Sequence, residues 1–149
     1  MENASVQQIE LLTDSAQNLI NKALSATSVE GEWSPTILLG HLSDVDEQVW
    51  QFRIGLMITA YRAGEDAPSL ESWEPDESET IEKHKGATVQ EVAARFLSTR
   101  ENIVQELRGL ADSDWQASAR HATFGRITIF DLVKVALAHD VEHSKALKG

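Results

Sequence analysis

Residues 128–143 read TIFDLVKVALAHDVEH, and this stretch decides the fold. Apolar residues recur through it at three- and four-residue steps, which predicts an amphipathic helix that begins near Thr128. Leu132, His139 and His143 share one face of that helix, because residues four apart lie on the same side of the axis. The two histidines therefore continue a core stripe where aliphatic residues would otherwise lie.

Three further helices are predicted from the same periodicity and from helix-start signals. The first runs from about Ala4 to Leu24, and the second runs from Pro35 to Ala63, with Ser34 as its cap. The third runs from the capping-box sequence at Thr88 to about Ala111. The inward stripe of the second helix is predicted to be Leu38, His41, Val45, Gln48, Phe52 and Leu56.

Long connections join these helices. Eight carboxylates and no Lys or Arg lie between Glu65 and Glu82, which predicts a solvated connection. Residues 115–126 are predicted to form an irregular link or a short hairpin, because Phe124-Gly125 interrupts the helical periodicity. Four helices with long crossovers predict an all-α four-helix bundle that occupies residues 1–149 as a single domain.

Composition narrows the class of protein. A chain of 149 residues with 42% hydrophobic content fits one globular domain. It contains no cysteine, so any thiol chemistry needs an external thiol. The net charge of −11 disfavours binding to nucleic acid or to an anionic membrane surface. The N-terminus has no signal-peptide pattern and no stretch approaches about 18 apolar residues, so we expect a soluble, cytoplasmic protein.

Three histidines are predicted to converge inside the bundle. His139 and His143 share a face of the last helix, and His41 occupies a core-facing position on another. Three buried neutral imidazoles without a shared partner would leave polar atoms unsatisfied at about 1–3 kcal/mol each, whereas one divalent ion satisfies all three. A set of three histidines without cysteine favours zinc, then nickel, with a position open to water or substrate. The alternative for each histidine is a hydrogen-bonded core residue.

Two carboxylates near these histidines are candidates for acid–base catalysis. Glu142 lies in an H-x-x-E-H string, but the inverted zinc proteases that share this pattern need a distant acidic ligand and a larger fold, so we reject that assignment. Glu142 remains a candidate acid or base, and Asp44 a group that orients an imidazole or transfers a proton. The alternative for both is an ordinary exposed carboxylate. His84 and His121 fall on no core stripe and are predicted to lie at the surface. Packing rather than substrate stacking is predicted for Trp33, Trp50, Trp73 and Trp115.

Three short stretches of sequence together resemble those of a known protein family. The run Trp33-Ser34-Pro35, followed by Gly40-His41-Leu42-Ser43-Asp44 and by a closing helix with His139-x-x-x-His143, resembles the DinB-like superfamily of small bacterial metal-binding bundles. The resemblance implies a four-helix bundle with up-up-down-down connectivity, often a homodimer. It also implies that His41, His139 and His143 correspond to the three metal ligands of the family. Family members with assigned chemistry include thiol S-transferases and isomerases that use bacillithiol, mycothiol or glutathione.

Three functional hypotheses follow. In the first, the protein is a divalent-metal-dependent enzyme of the thiol S-transferase type, whose co-substrate is an external low-molecular-weight thiol that the ion binds and ionises. In the second, it is a metal-hydroxide hydrolase that needs no thiol. In the third, it is a non-enzymatic bundle in which the ion stabilises the fold and the surface binds a protein partner. Dependence of turnover on a thiol separates the first two, and absence of turnover separates the third.

Overall fold

The structure, a computed structural model, describes residues 3–148 and is mostly helical. Its helices are α1 (Asn3–Ser25), α2 (Pro35–Val45), α3 (Phe52–Arg62), α4 (Glu77–His84), α5 (Val89–Arg108) and α6 (Ile129–Ser144). A π-helical turn, Asp46–Gln51, joins α2 to α3, and a 3₁₀ turn, Asp112–Gln116, follows α5. The strands β1 (Ser118–His121) and β2 (Gly125–Thr128) form an antiparallel hairpin, with Ser118 opposite Thr128.

The predicted all-α four-helix bundle is confirmed, with α2 and α3 acting as one long helix. One apolar cluster joins the start of α1 to the end of α5 and the start of α6, and a second joins the end of α1 to the starts of α2 and α5. Helices α1 and α6 therefore run in one direction and α2 and α5 in the other. Round the bundle, from α6 through α1 and α5 to α2, the directions are up, up, down and down, although in chain order they are up, down, down and up.

The π-helical turn corrects the predicted inward stripe of the second helix. A π turn has more residues than an α turn, so it shifts every later side chain round the axis by about one position. Val49, Ile54 and Met57 are buried where Gln48, Phe52 and Leu56 had been predicted. Phe52 is instead 63% exposed. The stripe through His41 and Val45, which precede the turn, lies inward as predicted.

The acidic connection is not wholly solvated, because α4 forms within it. Asp76 caps this helix, its carboxylate accepting a hydrogen bond from the backbone N–H of Glu79. At the other end of α4, His84 is buried and packs directly on Gly40 of α2, where an added Cβ would collide with the imidazole. The prediction that His84 lies at the surface is therefore wrong, since it anchors α4 to the bundle.

Short sequence motifs correctly predicted where α5 and α6 begin and the hairpin that precedes α6. The capping boxes at Thr88 with Glu91 and at Thr128 with Asp131 are both formed, and they begin α5 and α6. The link before α6 is the hairpin of β1 and β2, the second of the two predicted alternatives. No helix within residues 3–148 combines the length and the apolar character needed to cross a bilayer.

Candidate metal centre and its cavity

The structure brings together the three histidines that the sequence singled out. His41 from α2 and His139 and His143 from α6 each present a ring nitrogen, and these atoms lie within 4.8 Å of one another. The Nε2 atoms of His139 and His143 are 3.1 Å apart. A tetrahedral zinc site with Zn–N bonds of about 2.0–2.1 Å places its nitrogens roughly 3.4 Å apart. We call this group the histidine cluster, and its dimensions fit one small divalent ion.

The surroundings of the histidine cluster keep its imidazoles neutral. Burial, and then the neighbouring His143 and His139, lower the pKa of His41 to about 4. Burial and then His143 lower the pKa of His139 to about 4 as well. Burial also lowers the pKa of His143. At pH 7 all three rings are therefore in the unprotonated form that a metal ion requires.

The cluster does not satisfy its own polar atoms. The Nδ1 atoms of His41 and His139 are buried without a hydrogen-bond partner among the described residues. Because the Nε2 atom of His139 is the one that faces His143, the case for a metal rests on the convergence of the three imidazoles and on their neutral state. Coordination by imidazole is the chemistry that this set of neutral nitrogens offers, and no cysteine competes for the ion. The residues present therefore fit a divalent metal.

A second buried polar group lies beside the histidine cluster and was missed by sequence reasoning. Arg100 of α5 donates to Asp140 with N–O distances of 2.7 and 3.0 Å and to Asp46 with two distances of 3.2 Å. All three side chains are at least 97% buried. We call this group the arginine clamp. Its signal in the sequence was the position of Arg100 on the apolar stripe of α5, between Phe96 and Ile103.

The arginine clamp ties the ligand-bearing helices to α5. Asp140 is the neighbour of His139 in sequence, and Asp46 opens the π turn that follows the helix of His41. Arg100 also donates to the carbonyl oxygen of Leu12, so the clamp reaches α1 as well. Burial, partly opposed by the charge of Arg100, raises the pKa of Asp46 to about 6. The charge of Arg100 thus offsets only part of the effect of burial on Asp46.

Asp44 lies next to the histidine cluster but does not hydrogen-bond to its imidazoles. Its carboxylate accepts from His84 at 2.8 Å, from Lys83 at 2.7 Å and from Arg95 at 3.1 Å. Burial alone would raise the pKa of Asp44, but the hydrogen bonds from His84 and Lys83 outweigh it, and the pKa is lowered. Asp44 is therefore a fixed negative charge that holds α4 and α5 against α2.

Glu142 points away from the interior. Its side chain is 76% exposed and lies 3.6 Å from the ammonium group of Lys145. This placement favours the alternative of an exposed carboxylate. His121 lies in the hairpin, half-buried, where its Nδ1 accepts hydrogen bonds from the backbone N–H groups of Thr123 and Phe124. His121 does not belong to the histidine cluster.

A cavity of about 330 Å³ opens above His41. Its wall includes Trp73, whose indole is stacked near the His41 imidazole with ring centres 6.2 Å apart. Trp33 approaches the same imidazole at 4.9 Å. Trp50 and Trp115 are buried in the core, as predicted. Trp50 also approaches the His139 imidazole, with ring centres 5.8 Å apart. Three of the four tryptophans therefore pack against the histidine cluster, and of these Trp73 lines the cavity, where it can also meet a ligand.

Comparison with known proteins agrees with this architecture. A sequence model of the DinB superfamily matches residues 6–146. Among solved structures, the chain is similar to YfiT from Bacillus subtilis, a probable metal-dependent hydrolase with an unusual four-helix bundle topology, with a TM-score of 0.77, 17% identity and coverage of 99% of this chain and 86% of that one. It is also similar to an uncharacterized protein from Clostridium difficile 630, with a TM-score of 0.65, 8% identity and coverage of 99% and 95%. No curated protein matches significantly. At these identities the two structures show a shared fold.

Proposed function

Because the chain belongs to the DinB superfamily, we propose that it is a divalent-metal-dependent enzyme whose ion is held by His41, His139 and His143. The observation that carries the proposal is the convergence of three neutral imidazole nitrogens, one of them from His41, which lines a cavity. Zinc suits this donor set best and nickel next. When bound, such an ion lowers the pKa of water to about 7 and deprotonates a thiol outright.

Two nucleophiles are compatible with this site, and the charge of the cavity distinguishes them. Four carboxylates and one ammonium group line it, so it repels thiols that carry carboxylates of their own. This favours water as the nucleophile and hydrolysis as the reaction, and the similarity to YfiT supports the same class. Transfer to an uncharged external thiol is the second candidate, supported by a chain that has no cysteine to compete for the ion.

Several residues around the histidine cluster have separate roles in such a reaction. Trp33 and Trp73 pack against the His41 imidazole and shield it from solvent, since this ring is only 4% exposed. Asp44, held ionised by its hydrogen bonds, acts as a charge in the cavity wall rather than as a proton carrier. The arginine clamp holds the segment of α6 that bears His139. Homodimerisation and a cytoplasmic location remain predictions.

Elemental analysis tests the metal site. Protein purified without an affinity tag or chelator is expected to contain about one zinc or nickel ion per chain, and His41→Ala and His139→Ala are expected to lose it. His121→Ala is the matched control, because His121 is bound to its own hairpin. A folded, metal-free wild type that cannot take up zinc or nickel would contradict the proposal.

Thiol dependence tests the reaction class. Metal-loaded protein is assayed on activated esters and amides without thiol, then on electrophiles with mycothiol, which carries no carboxylate, and finally with bacillithiol or glutathione, which do. Thiol-independent turnover that disappears in His41→Ala supports hydrolysis. Turnover only with an added thiol supports S-transfer, and no turnover in either assay with metal bound supports the non-enzymatic bundle.

A further inference from the structure

The cavity above His41 has a strongly negative lining. Asp44, Glu74, Asp76 and Glu79 contribute four carboxylates, and Lys83 contributes the one ammonium group. With His41 neutral, the net charge of the lining is therefore −3. Low-dielectric walls concentrate such a field, so a cavity of one sign raises the local concentration of ligands of the opposite sign.

The individual contacts show which of these charges are available to a ligand. Lys83 is held 2.7 Å from Asp44, which also accepts from His84 and Arg95, so these groups compensate one another. Asp76 caps α4. Glu74 and Glu79, by contrast, have no cationic side chain within ion-pair distance among residues 3–148. Both are exposed at the rim of the cavity, whereas His41 is 96% buried at its floor, with an unpaired Nδ1.

We propose that the substrate carries a positively charged group, a primary amine or a guanidinium, that binds against Glu74 and Glu79 while an uncharged reactive end reaches the histidine cluster. A divalent ion at the cluster repels a nearby cation, so the charge belongs at the rim and not at the floor. The half-buried indole of Trp73, next to His41, also lines the cavity and offers an apolar contact to the uncharged part of such a substrate. This inference rests on the proposed function, since it names the substrate class of the same site.

A matched series of metal-binding probes measures the preference. Hydroxamates bind divalent ions, so 6-aminohexanohydroxamic acid, hexanohydroxamic acid and adipic monohydroxamic acid differ only in a cationic, neutral or anionic tail. Calorimetry on zinc-loaded wild type is expected to show about five- to tenfold tighter binding of the amine than of the neutral compound, and the weakest binding for the anion. The amine preference is expected to shrink at high salt.

The double substitution Glu74→Gln/Glu79→Gln keeps the shape of the rim and removes its charge, so it is expected to abolish the preference for the amine. Glu10→Gln/Asp14→Asn on the exposed side of α1 changes the net charge equally and is expected to preserve it. Equal or tighter binding of the neutral or anionic probe by wild type would overturn the inference. So would a preference that survives in Glu74→Gln/Glu79→Gln.

A protein that does not bind the metal would give a different result in these binding experiments. If zinc is not taken up and no hydroxamate binds, the proposed function fails, and hexylamine is then compared with hexanol on the metal-free wild type. Tighter binding of hexylamine that is lost in Glu74→Gln/Glu79→Gln would still support a cation-binding cavity. No preference for hexylamine would overturn the inference too.

Discussion

The histidine cluster and the arginine clamp are two neighbouring polar groups that share α6, the first partly buried and the second fully buried, and they differ in how completely their hydrogen-bonding atoms are paired. Every guanidinium nitrogen of Arg100 donates to a carboxylate, and one also donates to a carbonyl. The cluster instead leaves the Nδ1 atoms of His41 and His139 without hydrogen-bond partners in the part of the chain that the structure describes, and His41 lines a cavity. A polar group whose hydrogen bonds are all made within the protein stabilises the fold, whereas a group with unpaired nitrogens beside a cavity is suited to bind a ligand. The comparison therefore assigns stability to the clamp and chemistry to the cluster.

The largest expected effect comes from breaking the clamp. Arg100→Leu leaves two buried carboxylates, Asp46 and Asp140, without their cation, which typically costs about 3–5 kcal/mol in the free energy of unfolding. Urea unfolding of the metal-free protein measures the loss. Arg108→Leu, an exposed substitution on the same helix, is the control and is expected to change the free energy by less than about 1 kcal/mol. A loss below about 1 kcal/mol for Arg100→Leu would show that the clamp does not stabilise the fold.

The cluster should show its own effect only when metal is present. Zinc at about 100 times its dissociation constant is expected to stabilise wild type by about 2.7 kcal/mol, because it binds the folded chain. Thermal unfolding with and without zinc measures this gain. His41→Ala is expected to remove the gain, while His121→Ala keeps it. Equal zinc stabilisation of wild type and His41→Ala would place the ion elsewhere.

The sequence revealed the cluster but not the clamp, for physical reasons. Four-residue spacing places His139 and His143 on one face whatever surrounds them, and His41 precedes the π turn, so an ordinary helical period located it correctly. Arg100 stood on an apolar stripe, but only the packed bundle shows that two carboxylates from other helices meet it.

Other features of the fold could not be predicted from a regular helical periodicity in the sequence. The π turn shifts Phe52 from the predicted core to solvent. Its first residue, Asp46, contacts Arg100 of α5, a partner that a helical period cannot indicate. His84 is buried through a close approach to Gly40, which only the folded chain reveals. The helix starts at the capping boxes were predicted correctly, because a capping box depends only on residues that are neighbours in sequence.

A pH titration sharpens the comparison through Asp46. Its pKa is raised to about 6 in the folded protein, mainly by burial, against an ordinary value of 3.8. Between these values the folded chain holds a proton that the unfolded chain has released, so this group's contribution to stability falls as pH rises. Arg100 and Asp140 face Asp46 from α5 and α6, and Thr99 donates a hydrogen bond to it.

Asp46→Asn cannot ionise, so its stability relative to wild type is expected to increase by about 1–3 kcal/mol between pH 4 and pH 6.5. Urea unfolding of both metal-free proteins across this range measures the difference. The exposed substitution Asp14→Asn is the control and is expected to give a flat difference. A difference that is flat for Asp46→Asn, or that falls with pH, would show that the pKa of Asp46 is not raised in the folded protein.

The smallest effect is expected at Glu142, which shares a helical turn with Asp140 of the clamp and His143 of the cluster. Its side chain points into solvent towards Lys145 at 3.6 Å, and an exposed pair of this kind contributes about 0–1 kcal/mol. Glu142→Gln is therefore expected to keep the metal content, the zinc-dependent stabilisation and the rate of any turnover within about twofold of wild type. A tenfold loss of turnover with metal still bound would restore Glu142 as an acid or base, and would mean that the outer face of α6 takes part in the chemistry that we assign to its inner face.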